Sequence, residues 1–191
     1  MVLLNSCVYS LFPIYTDDTL VYFPELLGRW ELEGDEDYIK FSAKSIPYDW
    51  FSDENSKEVR EDSDIDKEYL VEIMEGGDLI KFKGHIAEIG DDLFLDLYPD
   101  HPYSAEGIGS NMIPVHTFAK IKFSGKQLDL TSFDLEKLNK LFESNLIRLR
   151  HENVDGTILI TAQPKEIQKF IDKYSDDESV FEDTETYQKA S

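Results

Sequence analysis

From Trp30 to Leu130 the chain alternates apolar and polar residues, and turns that contain glycine separate the alternating stretches. A period of two is typical of β-strands that bury one face. Residues 69–73 and 80–86 both alternate in this way, and Gly76-Gly77 lies between them, which predicts a hairpin. The pattern therefore predicts an antiparallel meander that forms either a barrel or a strongly curved sheet.

One predicted strand, residues 93–98, is apolar on both faces, which indicates that a second layer covers the sheet. Helical spacing appears only in the last third of the chain, where we predict two short helices, one over 135–142 and one that starts at Pro164. A hairpin over 147–161 separates them. The predicted fold is mainly β (α+β), with the final helix packed on strand 93–98.

A chain of 191 residues is long enough for one domain with a buried core and short for two. We predict a leader-like or extended segment over 1–24, a single domain over 25–175 and an acidic tail over 176–191. Residues 51–68 contain eight acids and few apolar groups, so we expect a surface loop there.

The chain carries 40 acidic and 19 basic residues, which gives a formal net charge of −21. Such a charge repels phosphate backbones, so we do not expect nucleic acid as a partner. Cys7 is the single cysteine, which excludes an intrachain disulfide and a cysteine-based zinc cluster. No apolar run is long enough for a spanning helix, so we expect contact with a membrane only through a lipid anchor.

The segment Leu4-Asn5-Ser6-Cys7 has the order of residues found at a bacterial lipoprotein cleavage site. Six preceding residues are too few for a complete leader peptide. Two hypotheses stay open: a longer native leader with a lipid on Cys7, or an ordinary thiol in an acidic cytoplasmic interaction module.

The four histidines, at 85, 101, 116 and 151, show no spacing typical of a metal site. His85 and His116 lie on the less apolar faces of two predicted strands, and Asp96 lies on the strand between them. If the three strands are neighbours, these side chains converge as a metal site or an acid/base cluster. This is the basis of an alternative hypothesis, a metal-dependent or acid/base hydrolase.

Gly28-Arg29-Trp30, followed by a meander and a late helix, resembles the start of the lipocalin-like barrels, whose first strand carries Gly-x-Trp. The resemblance implies that the tryptophan closes the barrel floor. Two features depart from that family: its later Thr-Asp-Tyr signature is not found here, and residues 132–161 form an insertion before the final helix.

A second resemblance covers nearly the whole chain through segments such as "LLGRW", "FLDLYPD", "IPVHTFAKI" and "EIQKFIDKYSDD". These segments are similar to a group of uncharacterised bacterial lipoproteins. The resemblance implies export and a lipid anchor on Cys7, and it implies no activity.

The leading hypothesis is a non-enzymatic lipoprotein of the cell envelope that binds a small apolar ligand or another envelope protein. An apolar ligand inside the barrel would contact Trp30, Phe82, Val115 and Phe123. If such inward side chains fill the barrel, binding of a partner protein becomes the better hypothesis. We predict no catalytic residue and no cofactor for this function.

Overall fold

The structure is a computed structural model, and it describes residues 8–44, 67–100, 113–144 and 147–190. The predicted loop over 51–68 therefore lies almost wholly outside the described residues. The strands are β1 (Val8–Ser10), β2 (Leu20–Val21), β3 (Gly28–Leu32), β4 (Tyr38–Ala43), β5 (Glu68–Glu75), β6 (Asp78–Ile89), β7 (Asp92–Pro99), β8 (His116–Ser124), β9 (Gln127–Ser132), β10 (His151–Val154), β11 (Thr157–Ile160) and β12 (Glu185–Lys189). The α-helices are α1 (Leu135–Glu143) and α2 (Pro164–Tyr174), and single 3-10 turns cover Pro24–Leu26 and Glu178–Val180.

Eight of these strands form a closed antiparallel barrel. Strands β3 to β9 follow one another as a meander, each paired with the next. Strand β12 then fits between β3 and β9 and pairs with both, which closes the ring. The predicted fold class is confirmed, including the two short helices in the last third of the chain.

The barrel interior is filled by the protein's own side chains. Trp30, Phe41, Tyr69 and Tyr187 are at most 1% exposed, and they belong to one apolar cluster that every barrel strand supplies. An eight-stranded barrel can be filled by its side chains or can hold one small ligand, and the near-zero exposure of these large aromatic side chains indicates the first case. At the small residue Gly84 a Cβ atom would lie 2.5 Å from Cγ2 of Val71, so this position leaves no room either.

A second layer covers the outside of the barrel near β6, β7 and β8. Strand β8 pairs with β9 along residues 119–124 but with β1 at residues 116–117, so the sheet branches there. Strands β1, β11 and β10 continue this branch, and both α-helices pack against it in a second apolar cluster. Phe94 belongs to the outer cluster and Leu95 to the barrel cluster, which confirms that both faces of β7 are covered.

Both ends of the described chain differ from the predicted domain boundaries. The segment predicted as a leader or extension, 1–24, contains β1 and β2, and its Ile14 is fully buried in the outer cluster. The segment predicted as an acidic tail, 176–191, contains β12, which completes the barrel. Most acidic residues of these two segments lie in the turns and loops between the strands, and only Glu185 lies in a strand, so a local surplus of charge did not prevent pairing.

Tyr69 makes the fold sensitive to alkaline pH. Its buried hydroxyl accepts a hydrogen bond from the Phe23 N–H at 2.6 Å and lies 3.3 Å from the Phe23 carbonyl, to which it donates. Burial raises the pKa of Tyr69 to about 12, although the Phe23 hydrogen bond opposes this. An unfolded tyrosine ionises near pH 10, so only the unfolded state loses this proton between about pH 10 and 12.

We therefore expect the free energy of unfolding to fall as pH rises above about 10. In the variant Tyr69→Phe the free energy of unfolding should be about 1–3 kcal/mol lower at neutral pH, because the Phe23 N–H loses its acceptor. Above pH 10 the free energy of unfolding of this variant should fall less steeply than that of the parent. Urea unfolding followed by circular dichroism at several pH values measures both effects. An equally steep alkaline decline in the variant would show that Tyr69 is not responsible.

Candidate functional site

The four residues predicted to bind an apolar ligand lie in or near the filled barrel. Trp30 is fully buried on β3, where its indole N–H donates to the carbonyl of Leu26 at 2.8 Å. Phe82 is 5% exposed, and the half-buried Phe123 packs against the same barrel cluster. Val115 is half-buried just before β8. Trp30, Phe82 and Phe123 serve the packing of the barrel, and contact of the four residues with a ligand stays a prediction.

Asp96 and His116 are brought together, as the sequence predicts. They lie on the outward faces of the adjacent strands β7 and β8, and their Oδ1 and Nδ1 atoms are 2.7 Å apart. Asp96 is fully buried, and its Oδ2 also accepts the N–H of Ile14 at 3.0 Å. A carboxylate only accepts hydrogen bonds, so Nδ1 of His116 is the donor in this contact and Nε2 takes no part in it.

His85 lies opposite Asp96 in the β-ladder. Its ring packs on that of Tyr15, with centroids 4.4 Å apart, and its Nε2 lies 3.8 Å from Oε2 of Glu68. Within the described ranges no three His, Cys, Asp or Glu side chains are placed to hold a metal ion. For the third member, His85, the three-residue acid/base cluster stays a prediction.

The Asp96–His116 pair links three parts of the fold. Asp96 ties β7 to β8 through His116 and to the N-terminal segment through Ile14. The ring of Tyr98 covers His116, with centroids 4.7 Å apart. Chemically the pair resembles a histidine base oriented by a carboxylate, and structurally it holds the N-terminal segment against the barrel.

An open groove of about 510 Å³ lies on the outer layer, between α2 and the segment that precedes β10. Its floor is apolar, because Ile147, Leu149 and Phe170 are only 6–7% exposed. The sequence predicts a strand from Ile147, but pairing starts at His151. Residues 147–150 instead run beside α2 and form one wall of the groove. The groove thus lies beside the unpaired residues that precede β10.

The rim of the groove is basic. Arg148, Lys169 and Lys173 are exposed along it. Its acidic residue, Glu166, is engaged by the guanidinium of Arg150 and by the N–H of Gln163 at the start of α2.

Those contacts keep the carboxyl of Glu166 ionised. The Arg150 side chain lowers the pKa of Glu166 most, and the hydrogen bond from the Gln163 N–H lowers it further. Since Glu166 is neutralised by Arg150, the groove keeps an excess of positive charge.

Sequence reasoning missed this groove, although one signal was present. Lys165, Lys169 and Lys173 recur every four residues and so share one side of α2. A stripe of lysines is ordinary on a solvated helix. Such a stripe indicates a binding site only when an apolar floor lies beside it. Here Ile147 and Leu149, which lie outside the helix, form part of that floor.

Comparisons with protein-family models, with curated proteins and with solved structures found no match for this chain. Neither α-helix of the described part is long and apolar enough to cross a membrane.

Proposed function

We propose that the chain is a non-enzymatic binding protein of the cell envelope, held by a lipid on Cys7, and that it takes a small apolar ligand in the outer groove. The barrel is the scaffold for this site and does not itself contain the ligand. Strand β8 and the second apolar cluster attach the outer layer to the barrel.

One observation carries the proposal: the barrel interior is full, whereas the groove beside α2 is open and has an apolar floor. Small-molecule sites are concave, largely apolar and roughly 300–1,000 Å³ in volume. The groove, at about 510 Å³, is within this range. Its floor belongs to the rigid outer cluster, so the site is formed before a ligand arrives.

Quenching of tryptophan fluorescence by a brominated dodecanol distinguishes a ligand in the groove from a ligand in the barrel interior, because bromine quenches only at contact. A Trp50→Phe protein reports on the barrel interior through Trp30, which is fully buried. A second protein, with Trp30→Phe, Trp50→Phe and Tyr174→Trp, reports on the groove. We expect quenching of the groove reporter and none of Trp30. Quenching of Trp30, or of neither reporter, would refute the proposed site.

The lipid anchor is supported by the Leu4-Asn5-Ser6-Cys7 segment, which lies outside the described residues. The described chain starts with Val8, which is 4% exposed and pairs with Ile158 on β11. A lipid on Cys7 would therefore hold the outer layer close to the bilayer, without a spacer.

Metabolic labelling with an alkyne fatty acid tests the anchor in cells that express the native gene with its upstream sequence. We expect labelled protein in the membrane fraction, and loss of both label and membrane association in Cys7→Ser. Cys7 is the single cysteine of the 191 residues, so no second thiol among them can take the lipid. A parent protein without label would favour the cytoplasmic interaction module.

A hydrolase is the second candidate function, and the 2.7 Å contact of Asp96 with His116 favours it. In that case Nε2 of His116 would accept a proton from water or a hydroxyl nucleophile. Turnover of an activated ester that is lost in a folded His116→Gln protein would support it. A slow rate that is equal in parent and variant would leave the pair with a structural role.

A further inference from the structure

We infer that the groove beside α2 is selective for an anionic amphiphile, namely a long-chain carboxylate that lays its tail on the apolar floor and its head on the basic rim. This inference rests on the proposed function and adds the ligand class. It depends on three features of the groove: its charge, the geometry of its cations and its depth.

The charge at the rim is opposite in sign to that of the whole chain, which is −21. Elsewhere in the described part many basic side chains pair with acids, as Lys40 does with Glu72 and Lys120 with Asp92. Arg148 and Lys169 form no ion pair with any residue that the structure describes. Lys173 contacts Tyr174, with its Nζ 3.2 Å from the hydroxyl and 4.8 Å from the centre of the ring. Lys169 is near enough to Glu166 to lower the pKa of that carboxyl, but Arg150 already binds Glu166, so the cations of the rim can also attract an external anion.

The rim can hold a carboxylate from two sides. Lys169 and Lys173 are one helical turn apart on α2, and Arg148 lies on the opposite wall. An arginine guanidinium can donate two parallel hydrogen bonds to one carboxylate, and lysine ammonium groups add point charges. A head group between the walls would therefore meet donors from both.

The floor sets the size and polarity of the rest of the ligand. Ile147, Leu149 and Phe170 form it, and the half-buried ring of Tyr174 extends it at one end. Burial of an alkyl tail on this floor strengthens binding with each methylene group removed from water. A concave site of this size accommodates one separate small molecule better than a flat membrane surface.

Titration calorimetry with dodecanoate below its micelle concentration tests the inference, with dodecanol as the uncharged probe of the same chain length. We expect the parent to bind dodecanoate about tenfold more tightly than dodecanol, and added salt to reduce the difference. Lys169→Gln and Lys173→Gln should each weaken dodecanoate binding about threefold, and the double variant about tenfold. None of these changes should alter the affinity for dodecanol.

Lys165→Gln is the matched control, because it removes the same charge from the same helix outside the lining of the groove. We expect it to change dodecanoate affinity by less than about 1.5-fold. Equal effects of Lys165→Gln and Lys169→Gln would overturn the inference, because net charge alone would then govern binding.

Three other outcomes decide between the inference and the proposed function. Equal binding of dodecanol and dodecanoate in the groove would overturn the selectivity and leave the proposed function in place. Binding of neither would refute both. Binding to anionic phosphatidylglycerol vesicles without binding of monomeric dodecanoate would overturn the inference in favour of a membrane contact.

Discussion

A chain that ends at Thr184 is expected to lose its cooperative fold, because it lacks the strand that closes the barrel. Strand β12 pairs with β3 on one side and with β9 on the other, so its removal leaves two unpaired edges. It also removes Tyr187, which is fully buried in the barrel interior. Loss of one large buried aromatic side chain alone costs about 3–5 kcal/mol, which is a large part of the stability of a typical domain.

Tyr187→Ala in the full chain is the control for this truncation. It removes the same side chain and leaves both ladders of β12 intact, so we expect a weakened but cooperative thermal transition. The truncated chain should instead show no transition and should aggregate through its open edges. Calorimetry and light scattering measure the two outcomes. A truncated chain that melts like Tyr187→Ala would show that β12 does not close the barrel.

His116→Ala is expected to destabilise the protein by about 3–5 kcal/mol, because it leaves the fully buried Asp96 carboxylate without its ring partner. Asp96→Ala should cost a similar amount, since both the His116 ring and the Ile14 N–H then lose an acceptor. The double variant removes the buried charge together with its partner. We expect its loss to be smaller than the sum of the single losses by about 1–3 kcal/mol.

Urea unfolding of the parent, the two single variants and the double variant gives the four free energies for this cycle. His151→Ala is a suitable control, because this half-buried histidine lies away from the pair and bonds to the carbonyl of Leu149. Additive losses at Asp96 and His116 would mean that the 2.7 Å contact contributes nothing to stability. Additive losses would favour the hydrolase hypothesis, because stability would then not explain the contact.

The barrel meander could be predicted from the sequence because the patterns of its strands and turns involve residues that are close together in the chain. The hairpins β3–β4, β5–β6, β6–β7 and β8–β9 have alternating strands and short turns. At Gly76-Gly77 both φ angles are positive, as a tight hairpin requires. Strand β12 could not be predicted in the same way. Among its five residues Tyr187 alone is buried, and its partners lie more than 50 residues away in sequence.

The same distinction explains the outcome at the candidate sites. The alternation of β7 and β8 places Asp96 and His116 on one face, so their approach follows from the pattern once the strands are neighbours. The same pattern predicts that His85 joins them. In the structure the ring of His85 packs on Tyr15 and lies near Glu68. The groove beside α2 depends on two segments whose contact no local pattern specifies.

Isotope-edited NMR of the protein with dodecanoate tests the central claim most directly, because it shows which methyl groups the ligand tail touches. We expect intermolecular NOEs from the tail to the methyl groups of Ile147 and Leu149 on the groove floor. We expect none to Ile39 or Ile73, which lie inside the filled barrel. NOEs to Ile39 and Ile73 would refute the groove as the binding site, because the ligand would then occupy the barrel interior.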